Sequence, residues 1–113
     1  MVIMAVDLGK ARTGIAASDK TEYLASPVAV ISEKRRDVLL SKVAEKAREI
    51  KAELIVVGLP RNMDGSEGES AVNARAFAQE LTEELLTTEK TENKIYDFKH
   101  IITEGEITWQ KSQ

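Results

Sequence analysis

The chain has 113 residues, 42% apolar and 31% charged, with no cysteine. That balance fits one globular domain spanning residues 1–113, and it excludes a disulfide framework or a thiolate metal site. The formal net charge of −3 excludes an overall electrostatic footprint for nucleic acid, so any such binding needs a local basic patch or metal ions.

The first stretch, MVIMAVDLGKARTGIAASD, organises the rest. Val2–Val6 is an apolar run that ends abruptly in Asp7, which predicts a buried strand. Gly14–Ala17 follows a glycine-containing turn as its hairpin partner. No apolar run reaches membrane-spanning length. An acid inside the leading apolar stretch, with no basic residue before it, is not a signal-peptide pattern, so a cytoplasmic protein with no membrane partner is expected. Tyr23–Ser32, with Pro27 near its start and the run Val28–Ile31, predicts a third strand, and three antiparallel strands in a meander are the simplest arrangement.

Asp37 is placed to cap a helix. Leu39, Val43, Ala47 and Ile50 then recur at helical spacing among charged residues, predicting an amphipathic helix to about Ala52. Leu54–Leu59 is apolar on nearly every residue, the pattern of a central parallel strand buried on both faces. Strand, helix and strand here make a crossover unit. Pro60–Gly68 is loop by composition, and Ser66 and Glu69 have capping-box spacing. Ala74, Phe77, Leu81 and Leu85 predict a second helix from about Glu69 to Leu86. Thr87–Asn93 is read as a connecting loop, Lys94–Thr103 as a further strand, and Ile107–Gln113 as a frayed turn or the stub of a helix.

Two loops can carry chemistry. In the first, Gly9 permits a tight turn whose amides could face an anion. Lys10 and Arg12 could hold phosphate, and Asp7 could ligate a hard cation such as Mg²⁺. The alternative is a plain hairpin turn in which Asp7 caps local amides. In the second loop, Arg61 and Asn62 leave the C-terminal end of a parallel strand and enter a helix, where α/β sheets bind ligands and helix N-termini favour anions. The alternative is a polar connection with good turn residues. Lys34, Arg35, Arg36 and Arg75 are further candidates for a basic patch, against a scatter of solvated charges. His100, Trp109, Tyr23 and Tyr96 read as ordinary strand or packing residues.

Taken together, the pattern MxVDxGxxRxGxAxSD, a helix, VVGLPxNMDGSEG, and a helix containing ARAFAQEL resembles the YqgF/RuvX family over Met1–Leu81. These are bacterial proteins described as Holliday-junction-resolvase-like and as nucleases maturing precursor ribosomal RNA. The resemblance implies an α/β, ribonuclease-H-like mixed sheet, antiparallel in strands one to three and then parallel, flanked by helices, with the family's final helix absent. It implies that Asp7 is the first catalytic carboxylate and a metal ligand. It also matches Arg12, Gly14, Ser18 and Asp19 to the first motif, and Gly58, Pro60, Asn62, Asp64 and Gly65 to the second. The family's acidic third motif has no clean copy. Glu83–Thr88 looks similar but continues a helix, whereas Glu104 follows a strand and takes the acidic place as second catalytic and metal-binding residue.

The resemblance implies a Mg²⁺-dependent nuclease, with Mn²⁺ as a substitute, acting on structured RNA or branched DNA by metal-assisted phosphodiester hydrolysis. The alternative is a degenerate relative that binds nucleic acid or a protein without hydrolysis, or forms a homodimer through sheet surface left uncovered. A third class is a nucleotide-phosphate binder, since Asp7–Leu8–Gly9 also resembles the first phosphate loop of actin- and Hsp70-like ATPases. Those use two such domains, and one is expected here.

Overall fold

The computed structural model describes residues 1–21, 25–60, 63–92 and 100–104, with 87–92 and 100–104 as backbone elements. Strands β1 (Ile3–Leu8), β2 (Thr13–Ser18) and β3 (Ala25–Ile31) are followed by helix α1 (Arg36–Glu49), strand β4 (Leu54–Gly58), helix α2 (Glu69–Glu92) and strand β5 (His100–Glu104). The sheet runs β3-β2-β1-β4-β5. The first three strands pair antiparallel, and β4 lies parallel to both β1 and β5. This is the expected mixed sheet, with β1 at its centre. Among the described residues no helix is long and apolar enough to cross a membrane.

The pleat sorts the residues. Met4 and Val6 stand in register with Ala17 and Ile15 on one side and with Ile55 and Val57 on the other. Met4, Val6, Ile15, Ile55 and Val57 form one core with Val43, Ala44 and Ala47 of α1 and Ala71, Ala74, Phe77, Leu81 and Leu85 of α2. Both helices therefore cover the same face, and the alanines let them approach it and each other closely. Each large side chain in this cluster contributes roughly 1.5–3 kcal/mol by burial. The other face carries Leu54 and Val56, which are only half-buried. The expectation that β4 is buried on both faces is corrected: among the described residues no helix packs on that second side. Val28 and Val30 of β3 are exposed there and at the edge (38% and 68%).

The helix ends differ from expectation, three of them as follows. Asp37 does not cap α1. Arg35 is the N-cap, in extended backbone without a side-chain cap bond, and Asp37 sits in the first turn, where an acid suits the helix dipole and ion-pairs with Arg35 at 3.1 Å. The helix also stops at Glu49 rather than near Ala52. Lys51 N–H donates to the Arg48 carbonyl and Ala52 N–H to the Ala47 carbonyl, the paired bonds of a Schellman turn. This puts Lys51 at φ 58°, where a side chain costs about 1–2 kcal/mol. Lys51→Gly should therefore stabilise the protein by up to about 1 kcal/mol, part of the gain being offset by the greater freedom of glycine in the unfolded chain; a higher thermal midpoint is the check. Third, α2 runs on to Glu92, through the segment expected to be a loop.

The N-terminus of α2 corrects the capping-box reading as well. The Gly68 carbonyl accepts the Ala71 and Val72 amides, which places the N-cap at Gly68. Ser66 instead closes a turn on Asp64, its amide at 2.9 Å and its hydroxyl at 2.6 Å from Asp64 Oδ1.

Candidate functional site

Parallel pairing of β1 with β4 sends both singled-out loops from the same end of the sheet. The Val6–Val57 pair is followed by Asp7 on β1 and Gly58 on β4, and Gly58 pairs with Glu104 on β5. On the other side Asp7 pairs with Gly14, and Gly14 with Val30. One cross-strand row therefore reads Val30, Gly14, Asp7, Gly58, Glu104. At the usual strand spacing, the backbones of Asp7 and Glu104 lie about 10 Å apart. The two candidate acids share one end of the sheet and one row, with a residue lacking a side chain between them.

Asp7 is exposed. The burial cost anticipated for an acid ending an apolar strand is avoided, because Asp7 alternates with buried Val6 onto the sheet face that no described helix covers, near the end of the strand, and solvent takes the carboxylate. The hairpin after it is closed by Gly9 N–H donating to the Arg12 carbonyl at 2.9 Å. That amide is thus committed to the turn, and Gly9 acts by shaping the hairpin rather than by presenting its own N–H. A Cβ at Gly9 would stand 2.5 Å from the Arg12 carbonyl oxygen, so backbone must move to admit it. Gly9→Ala should cost about 1–3 kcal/mol, as overpacking does, and should weaken binding of a phosphate-bearing ligand by shifting Lys10 and Arg12; thermal melts and a binding titration test the two effects.

The basic candidates divide. Arg36 grips Glu80 through Nε at 2.9 Å and Nη2 at 3.2 Å, bonds Asn73 through Nη1, and lies 5.7 Å from the Phe77 ring centroid. It ties the start of α1 to α2. Arg35 pairs with Asp37, and Arg75 with Glu67 at 2.7 Å. Lys10, Arg12 and Lys34 are exposed and have no ion-pair partner among the described residues. Lys10 also borders a groove of about 620 Å³, shared with Arg36, Glu69, Ser70, Asn73 and Glu80. Arg61 and Asn62 lie outside the described residues, as do Tyr23, Tyr96 and Trp109. Their loop is described again from Met63, which is fully exposed (107%). Beyond it the Ser66 hydroxyl, and then the Ser66 amide, hold the Asp64 carboxyl below its ordinary pKa.

Two motif residues fall elsewhere. Ser18 Oγ accepts the Ile3 amide at 2.9 Å and donates to the Asp19 carbonyl at 3.1 Å, and Asp19 Oδ1 takes the amide and hydroxyl of Thr21. Because β2 runs antiparallel to β1, this places Ser18 and Asp19 at the opposite end of the sheet from Asp7, where they fasten the start of β1. Sequence reasoning did not foresee that Gly14 pairs directly with Asp7, which the strand register shows.

Comparison with known proteins places the chain in a family and its fold beside a solved structure. A family model described as "RuvX: Holliday junction resolvase" matches residues 1–103. A protein of Anaeromyxobacter sp. (strain Fw109-5), named "Putative pre-16S rRNA nuclease", is 47% identical over 81 residues, covering 72% of this chain and 59% of its own length. A protein of the same name from Roseiflexus sp. (strain RS-1) is 35% identical over 107 residues, covering 86% of this chain and 76% of its own. The chain thus spans rather more than half the length of the first of these relatives. Among solved structures, T. thermophilus RuvC in complex with a Holliday junction substrate superposes with a TM-score of 0.55 at 12% identity, over 92% of this chain and 64% of that one. At that identity the likeness speaks for the fold, which is ribonuclease-H-like. With a family model matched over nearly its whole length and the motif acid standing at the end of the central strand, the chain belongs to the RuvX family.

Proposed function

We propose that this protein is a Mg²⁺-dependent nuclease, with Mn²⁺ able to substitute, that cuts structured nucleic acid: precursor ribosomal RNA or branched DNA. The observation that carries the reading is Asp7, an exposed acid at the C-terminal end of the central strand, in one backbone row with Glu104 and at the foot of a hairpin bearing Lys10 and Arg12. The names of the relatives and the family description support the nuclease class.

The donor set suits a hard cation. Mg²⁺ takes carboxylate oxygens, keeps several waters and leans on substrate phosphate rather than on a full protein cage. Among the described residues no cluster of three His, Cys, Asp or Glu forms; one carboxylate from Asp7, joined by Glu104, fits a water-rich site of that kind. When bound, such an ion supplies charge neutralisation and an activated water for in-line displacement. Asp7 fixes it to the sheet. Lys10 and Arg12 hold the phosphodiester against the acid and offset the repulsion between them. Arg61 and Asn62 are assigned to the same phosphate track from the second loop.

The test is cleavage of labelled four-way DNA junction and of a precursor 16S rRNA fragment, each with Mg²⁺, with Mn²⁺ and with chelator. Cation-dependent cutting of one substrate supports the proposal and names the substrate class; no cutting of either overturns it. A second reading, binding without hydrolysis, draws on the lack of a three-acid cluster among the described residues. Retention of either substrate without cleavage under all three conditions selects it.

A further inference from the structure

Asp7 pairs with Gly14 on β2, and on its other side Gly58 follows the Val6–Val57 pair on β4. Glycine inside a strand weakens it, so each position calls for a reason. Conformation is not the reason, since Gly65 is the only described glycine at positive φ. A bulge is not the reason either. Gly14 pairs directly with both Asp7 and Val30, and the irregularity between β2 and β3 falls later, between Ile15 and Ala16. Nor is crowding the reason at Gly14, where an added Cβ would meet nothing within 4 Å. The space over Gly14 is open, and by register it lies between Asp7 on β1 and Val30 on β3.

We infer that Gly14 is a positioning residue: it keeps a bare lane beside Asp7 so that the sugar-phosphate backbone of a nucleic acid lies flat on the sheet there. The inference rests on the proposed nuclease reading and adds a residue to it. The lane lies over Gly14 and is about 10 Å wide, two strand spacings from Asp7 to Val30; Gly58, on the other side of the acid, is buried and adds no open space. The lane's edges are Asp7 and Val30 by register. A phosphate seated in the lane meets Asp7 through the shared cation and Arg12 from the hairpin. A side chain at position 14 would lift the backbone off the sheet and away from the carboxylate. The shared chemistry is the phosphodiester, and DNA and RNA are told apart by test.

The experiment uses the full chain with Gly14→Val and Gly14→Ala. Valine is a good strand former beside Val30, so the metal-free melting temperature should stay level or rise. Binding of Mn²⁺, followed by calorimetry, should be unchanged, since Asp7 is untouched. Affinity for the labelled four-way junction and for the precursor rRNA fragment, measured in Ca²⁺, should fall about 10- to 100-fold for valine, the size of effect that removing a supporting group has on a metal site, and less for alanine; the probe that loses more identifies the backbone. Wild-type affinity in both variants overturns the inference. So does a lower melting temperature in the alanine variant, which would mean that glycine serves packing. Failure of the unaltered protein to bind either probe sinks the nuclease reading and this inference with it, whereas an Asp7→Asn variant that loses cleavage beside a Gly14→Val variant that binds normally sinks this inference alone.

Discussion

Asp7→Asn should lower cation-dependent cleavage roughly a thousandfold, about 4 kcal/mol of transition-state stabilisation, the order expected when a catalytic cation loses its anchoring charge. The substitution is nearly isosteric and keeps a polar group at the strand end. Asp7 is exposed, so the change strands no buried partner, and the thermal midpoint should move little, as for surface substitutions at large. That separation is the value of the experiment: activity falls while the fold stands. Circular dichroism melts and single-turnover cleavage on the same preparation read the two effects. Mn²⁺ binding should weaken together with activity. Glu104→Gln should follow the same pattern if the second acid shares the ion, because the register places the two on one row. An Asp7→Asn protein that cuts at the original rate would remove the acid from the chemistry.

The parts of this architecture that the chain announces are those set by local pattern. An unbroken apolar run closed by Asp7 marks the central strand, and the helical spacing of Ala74, Phe77, Leu81 and Leu85 marks α2. The meeting of the two loops follows from β4 being a parallel strand, since parallel neighbours send their C-terminal ends the same way. What stayed hidden lacked the usual local signal. Ser18 and Asp19 sit within the same motif as Asp7, yet the hairpin folds them to the far end of the sheet, and adjacency in sequence gave no hint of it. Lys51 concealed the end of α1, because a left-handed C′ position filled by lysine lacks the usual glycine signal. The segment after Leu86, TTEKTE, is polar all round and shows no apolar period, yet α2 continues through it to Glu92; its Glu and Lys are good helix formers, whereas its three threonines gave no helical signal. Gly14 is the subtler case. As a lone glycine in an apolar run it says little; only the pairing with Asp7 and the empty space above it give it a meaning.

Phe77→Ala should be the most destabilising single truncation in the helical layer, by about 3–5 kcal/mol. The ring is 1% exposed and is the largest fully buried side chain among the described residues. It lies among Met4, Val6, Ile55 and Val57 of the sheet and Leu81 and Leu85 of its own helix within one cluster. Alanine at that point opens a cavity that β-strand backbone cannot collapse to fill. Against a typical domain stability of about 5–15 kcal/mol, the loss removes a large share, so the thermal midpoint should drop by more than about 10 °C. The ring also carries the Arg36 guanidinium over it, and Arg36 links α1 to Glu80 and Asn73 of α2. Truncation therefore loosens the helix pair as well as the core. Phe77→Leu restores most of the volume and should recover more than half of the loss. The effect on cleavage should follow the folded fraction only: measured well below its own melting point, the Phe77→Leu protein should cut at nearly the original rate, in contrast to Asp7→Asn, which should fail at every temperature. A Phe77→Leu variant that is fully folded but inactive would mean that the α2 core sets the geometry of the acid row, and that the division between scaffold and chemistry drawn from burial is wrong.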